Sequence, residues 1–277
     1  MASKKSLIAS AVLLGLFSTV SQAKILYQAD FEHTNIKKYG NGSGNWPQIS
    51  QKSEPSCDGD RSMKVELYFD QKKNKYNYRT ELTNMQQFQF GKEYWVSFAA
   101  FIPKNWKNDG KYDDIIMQVH GTPDTNLGEH YRNPPLALSI QDGKWVVGVL
   151  ADTRKLTPKP GKGVKKYTLS KKYDNIGAVN KGKWTTFVMQ FKASPQKDGY
   201  LNVWVDGRQK VKHTGGIFFN DAKGPYFKAG LYKPGWKKGA NWSGQMTVGG
   251  YRLHYFDALK IGDHKSSFKD MAVQCGS

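Results

Sequence analysis

The chain has 277 residues, with 42 Lys and Arg against 23 Asp and Glu, for a formal charge of +19 at pH 7. So large an excess favours a polyanionic partner, which it would steer and concentrate. Two widely separated cysteines and six histidines without ligand spacing offer no zinc site, so no cofactor is expected, although the sequence leaves a structural calcium open.

Lys4 and Lys5 precede an apolar run from Leu7 to Val20 and the small residues Ser21 and Ala23. This reads as a signal peptide over residues 1–23, cleaved after Ala23. The run is too short and too early for a membrane span, and no later stretch could cross a bilayer. Residues 24–277 then form one domain, secreted or periplasmic and monomeric, of a length that β-sandwiches commonly reach. Cys57 and Cys275 are the only pair available, and in an exported chain they are expected to form a disulfide.

Strands are expected at Ile25–Phe31, at Met63–Phe69, around Arg79 and at Tyr94–Ile102, where Pro103 stops the last of them. More follow at Asp114–His120, Leu136–Gln141 and Lys144–Leu150, the latter two joined as a hairpin across Asp142-Gly143. Lys183–Lys192, Tyr200–Asp206, Tyr226–Tyr232 and Thr247–Phe256 complete the set. Helical periodicity is weak, and many short strands between turn signals predict an all-β sandwich or jelly roll. Between Arg154 and Lys183 ten basic residues accompany a single acid, Asp174. This stretch reads as a long loop or flexible hairpin that clamps a polyanion, with Lys165 and Lys166 among its contacts, or else as a solvated excursion.

Three strands carry a polar set on one face. A strand alternates its side chains with period two. Phe227, Ala229 and Leu231 therefore face a core, while Tyr226, Lys228, Gly230 and Tyr232 face away. Ile115, Met117 and Val119 are likewise expected inside, with Gln118 and His120 opposite. Arg79 and Glu81 share a face, and Tyr78, Thr80 and Leu82 take the other. Singly, each of these sets is an ordinary structural feature. Together, on a basic exported β protein, they form a candidate site for an acidic ligand. Trp46, Trp236 and Trp242 sit in glycine-rich loops, where they would either stack on sugar rings or anchor the loops.

Arg79-Thr80-Glu81-Leu82, Gln118-Val119-His120 and Tyr226-Phe227-Lys228-Ala229-Gly230-Leu231-Tyr232 resemble, in order, the three signature motifs of jelly-roll alginate lyases. The surroundings of the second motif, Gly121-Thr122-Pro123-Asp124 and Pro134-Pro135-Leu136-Ala137-Leu138, are more similar to the heparin lyase I and glucuronan lyase relatives. The resemblance implies a concanavalin-like β-jelly roll that cleaves a uronic-acid polysaccharide by β-elimination. It implies His120 and Tyr232 as the catalytic pair, and Arg79 and Gln118 as holders of the uronate carboxylate. Lys228 would lie nearby; Tyr226, Glu81 and Trp236 are further candidates for substrate contact, with Glu81 alternatively serving only to orient Arg79. The third motif departs from its usual form, since Lys233-Pro234-Gly235-Trp236 follows where a glutamine is common.

The chemistry asks for the same residue types. Removing the C5 proton of a uronate places charge beside a carboxylate, and donors there stabilise the enolate. Arg79 can grip that carboxylate with its planar fork. Cations near Tyr232 would favour its phenolate. A single tyrosine could serve both proton transfers on glucuronate or mannuronate; on guluronate or iduronate, His120 would be the base and Tyr232 the acid.

Other readings are a non-catalytic module binding acidic glycans, and a glycoside hydrolase. The hydrolase would need two spaced carboxylates, and the motif strands supply only Glu81 and Asp114. A nucleic-acid partner is not expected, because no binding motif accompanies the charge.

Overall fold

The structure, a computed structural model, describes residues 24–39, 46–70, 78–83, 85–159, 166–239 and 242–276, the side chain of Trp242 excepted. The expected signal segment and Lys165 lie outside the described residues. In chain order the strands are β1 (Ile25–Ala29), β2 (Gln48–Ile49), β3 (Met63–Tyr68), β4 (Arg79–Leu82), β5 (Glu93–Phe101) and β6 (Asp114–Thr122). Then come β7 (Leu136–Gln141), β8 (Lys144–Asp152), β9 (Leu169–Ala178), β10 (Trp184–Lys192), β11 (Tyr200–Val205) and β12 (Arg208–Thr214). The last are β13 (Phe218–Phe219), β14 (Lys223–Tyr232), β15 (Lys238–Gly239), β16 (Trp242–Ser243) and β17 (Tyr251–Asp263). One short helix, α1 (Phe268–Met271), follows, capped by Ser267 and Asp270.

Two sheets face each other, as expected of a β-sandwich jelly roll. One runs β12-β11-β10-β5-β17-β3-β2 with β1 on β17; the other runs β13-β8-β7-β6-β14-β4 with β9 on β8. Phe98, Phe187, Phe256, Val147, Phe227 and Leu231 pack between them. The disulfide between Cys57 and Cys275 is formed and ties the chain end to the start of the fold. Asp257 accepts from the backbone N–H groups of Cys57, at 2.7 Å, and Asp58, at 3.1 Å, which fixes that junction.

Of the two forms expected for the lysine-rich stretch, loop or hairpin, it takes the hairpin: it ends in a ten-residue edge strand, β9, antiparallel to β8, whose mostly exposed side chains lack the apolar alternation that would have marked it. Two expectations are corrected. The final strand starts at Tyr251, and the turn through Val248–Gly250 occupies the positions before it. In β6 the register slips between Ile115 and Met117, so Ile116 is the core residue and Ile115 turns outward, half-buried. Such a bulge sets two residues against one and resets the alternation behind it.

Candidate active site

The outer face of the second sheet brings the three polar sets together. β14 lies between β4 and β6, with Tyr226 opposite His120, Lys228 opposite Gln118, Gly230 opposite Glu81 and Tyr232 opposite Arg79. A second bulge, between Ala229 and Tyr232, fits β14 to β6. Gly230 adopts φ +142°, and a Cβ there would sit 2.2 Å from the Thr80 carbonyl oxygen. Only glycine allows β4 so close an approach.

Glu81 is the hub. It is 1% exposed, and its two oxygens collect three donors. Gln118 donates from Nε2 to Oε1, Lys228 Nζ lies 2.5 Å from Oε2, and Arg79 approaches Oε2 at 3.9 Å. A carboxylate only accepts, so this bond fixes the orientation of the Gln118 amide. Glu81 is thus enclosed rather than placed against a ligand, which favours the expectation that it orients Arg79 over the one that it touches substrate. Lys228, 4% exposed, is also largely enclosed; burial pulls its ammonium below the usual pKa, against the pull of Glu81.

His120 and the two tyrosines flank this hub. His120 Nδ1 is 2.8 Å from the Gly121 carbonyl oxygen. A carbonyl cannot donate, so Nδ1 carries the proton and Nε2 keeps its lone pair. Burial lowers the His120 pKa below its ordinary value, with Lys228 and Arg79 acting in the same direction. Tyr232 lies under the Arg79 guanidinium, 4.1 Å from Cζ to the ring centroid. Burial raises its pKa despite that cation. Arg79 pulls towards the phenolate as expected, and burial outweighs it. Tyr226 stands beside His120, with ring centroids 5.6 Å apart, and burial raises its pKa too.

Two cations, Arg79 and Lys228, thus surround one carboxylate, and Arg79 Nε is buried with no partner. The cluster carries one positive charge in excess. The neighbouring floor is made of small side chains: Ala137 lies opposite Gln118 and Gly148 opposite Ala137, and a Cβ on Gly148 would meet nothing. Lys172 continues this row on β9, paired with Gly148. A hollow of about 320 Å³ opens there between Asp113, Gln141, Lys144 and Lys172.

Trp236 does not belong to the groove. It is 0% exposed, packs edge-on against Phe69 and Tyr78, and donates to Thr247 Oγ1 at 2.8 Å, so it is a loop anchor. The turn beginning at Pro234 folds the chain back to bury it. Lys166 lies away from the Glu81 hub, over the Tyr167 ring, in a separate hollow with Tyr131 and Arg132. Tyr131 and Arg132 lie outside every strand, so alternation in the sequence gives no sign of this hollow. Asp114, the second carboxylate of the hydrolase reading, points between the sheets and is wholly enclosed by cations, so no open pair of acids exists on these strands.

A family model described as polysaccharide lyase matches residues 31–260. The chain belongs to the polysaccharide lyase family. Among solved structures, the fold of this lyase is similar to an endo-β-1,4-glucuronan lyase from the fungus Trichoderma reesei. That likeness has a TM-score of 0.67 and 20% identity, and it covers 89% of this chain and 93% of the other. Alginate lyase AlyC3 aligns with a TM-score of 0.51 and 21% identity over 72% of this chain and 74% of its own. Alginate lyase vAL-1 from a Chlorella virus gives 0.51 and 13% identity over 87% and 100%. No curated protein sequence matches significantly.

Proposed function

We propose that this lyase cleaves a uronate-containing polysaccharide by β-elimination. The observation that carries the reading is the single positive charge in excess on an open face, which is the complement of one sugar carboxylate. Arg79 binds that carboxylate, and Gln118, 2% exposed and already donating one N–H to Glu81, offers it the other; the donors that Glu81 aligns stabilise the enolate as it forms. His120 Nε2 takes the proton from C5. The C4–O4 bond then breaks, Tyr232 gives its phenolic proton to O4, and a C4=C5 double bond remains on the uronate. The protonation states favour this division of labour, since burial keeps His120 neutral and Tyr232 protonated at rest. The contact between Tyr226 and His120 favours a second assignment, in which Tyr226 is the donor.

Incubation with alginate, glucuronan, heparin, heparan and hyaluronan, followed by ultraviolet absorbance of the unsaturated product, tests the reading. His120→Ala and Tyr232→Phe are expected to lower kcat by about 10²–10⁴ on the best substrate. Binding of a polymer without product would make the protein a binding module. A dead Tyr226→Phe beside an active Tyr232→Phe would move the acid role to Tyr226. The Cys57–Cys275 bond supports export, and an exported protein whose intact mass begins at Lys24 would establish the expected cleavage.

A further inference from the structure

The connection from β6 to β7, residues 123–135, leaves the sheet after Thr122, two residues past His120, and is braced as an arm. Arg132 donates to Glu129 and Thr157, each at 3.0 Å, and pairs with Asp221. Its guanidinium covers the Phe219 ring at 4.3 Å, and Tyr167 stacks on that same ring. Glu129 Oε2 accepts from the Asp124 backbone at 2.9 Å, and Asp124 in turn accepts from Ala222. Glu129, Arg132, Thr157 and Asp221 are all buried.

A buried ionic network costs desolvation, and holding a short connection this firmly requires a return. What the network presents is Tyr131, 85% exposed. Beside it lies a hollow of about 330 Å³, whose rim carries His130, Lys159 and Lys166. At its base Glu129 and Asp221 outnumber Arg132 by one charge, so Lys159 and Lys166 on the rim are what bring positive charge to the hollow. Phe219 and Asp221, which Arg132 holds, also pack against Gly121, the residue after His120, where a Cβ would lie 2.8 Å from Asp221 Oδ2 and 3.1 Å from the Phe219 ring. The arm and its hollow therefore adjoin the end of β6 that carries His120.

We propose that this arm forms a distal subsite for a second acidic sugar of the same polymer. Tyr131 stacks on the apolar face of its pyranose ring, and Lys159 and Lys166 pair with its anionic group. The proposal rests on the lyase reading above. A rigid aromatic gives contact area at little entropic cost, and the hollow is large enough for one ring.

Chain-length dependence tests it. Comparing kcat/KM for polymer with that for the shortest oligosaccharide cleaved, Tyr131→Ala is expected to reduce the ratio about tenfold, and Tyr131→Trp to restore it. Lys159→Gln with Lys166→Gln is expected to flatten the salt dependence of KM on polymer. A melting temperature within a degree or so of wild type for Tyr131→Ala would show that the exposed ring is not needed for folding. An unchanged ratio in Tyr131→Ala, or an equal loss on long and short chains, would overturn the subsite. A wild-type protein inactive on every uronate polymer would instead overturn the lyase substrate reading.

Discussion

Two buried carboxylates on this fold gather cations, and only one of them makes a site. Asp114, between the sheets, receives Lys233 at 2.9 Å, Arg252 at 2.7 Å, the Trp106 indole and His254. Asp109 adds a second anion, 2.7 Å from Lys233. Two acids balance two cations, and burial holds His254 below its usual pKa. Glu81, on the outer face, gathers Arg79 and Lys228 with no second acid. The first cluster is closed in charge and in space. The second is one negative charge short and lies on the outer face of its sheet, with Arg79 partly exposed. Charge balance and position on an outer face, rather than burial or the number of ionic groups, separate a scaffold from a site.

The strongest way to break this comparison is to remove each hub in turn. Asp114→Asn leaves Lys233 and Arg252 uncompensated in the interior, and is expected to cost about 3–5 kcal/mol of stability in urea unfolding. Glu81→Gln leaves its cations beside the groove, where Lys228 can shed its proton. A stability loss of about 1–2 kcal/mol is expected, with a fall in kcat/KM of about 10²-fold as Arg79 and Gln118 lose their alignment. Equal stability losses would erase the distinction.

A pH profile sharpens the same contrast. His120 must be neutral to accept a proton, and its pKa is lowered. Activity should therefore fall on the acid side only as pH drops through a value below the ordinary 6.5. Tyr232 is raised above its ordinary 10.0, so a proton-donating tyrosine keeps activity flat up to about that pH. A rate that climbs steadily from neutral towards pH 10 would mean that the phenolate is the base.

Much of this was legible before the structure. Period-two alternation placed Tyr226, Lys228 and Tyr232 on one face, because β14 keeps its inward set of Phe227, Ala229 and Leu231 through the bulge. The same rule misplaced Ile115, since a bulge leaves no mark in apolar periodicity. Glu81 looked like a contact because sequence shows which face a side chain takes and not what closes over it. Trp236 looked like a sugar platform because its loop is rich in glycine, yet the turn after Pro234 buries it. β9 was hidden because an exposed edge strand has no buried face to pattern its lysines.

The lysines of that strand supply the smallest test. Lys171 and Lys172 are adjacent in sequence and equal in charge, but alternation sends them to opposite faces. Lys172 pairs with Gly148 on the groove floor and lines the hollow beside Asp113. Lys171 pairs with Val149 and lies over the Tyr173 ring, whose hydroxyl meets His213 at the edge of the sandwich. If the groove is the path of an anionic polymer, Lys172→Gln should raise KM about two- to fivefold at low salt, as one partly screened pair is worth roughly 0.5–1 kcal/mol. Its slope of KM against salt should fall, while kcat stays within error. Lys171→Gln should leave both near wild type, because its charge lies on the other face and, at moderate salt, a Debye length of about 10 Å screens it. Equal shifts in the two variants would mean that the positive charge acts as an undirected field rather than along the groove.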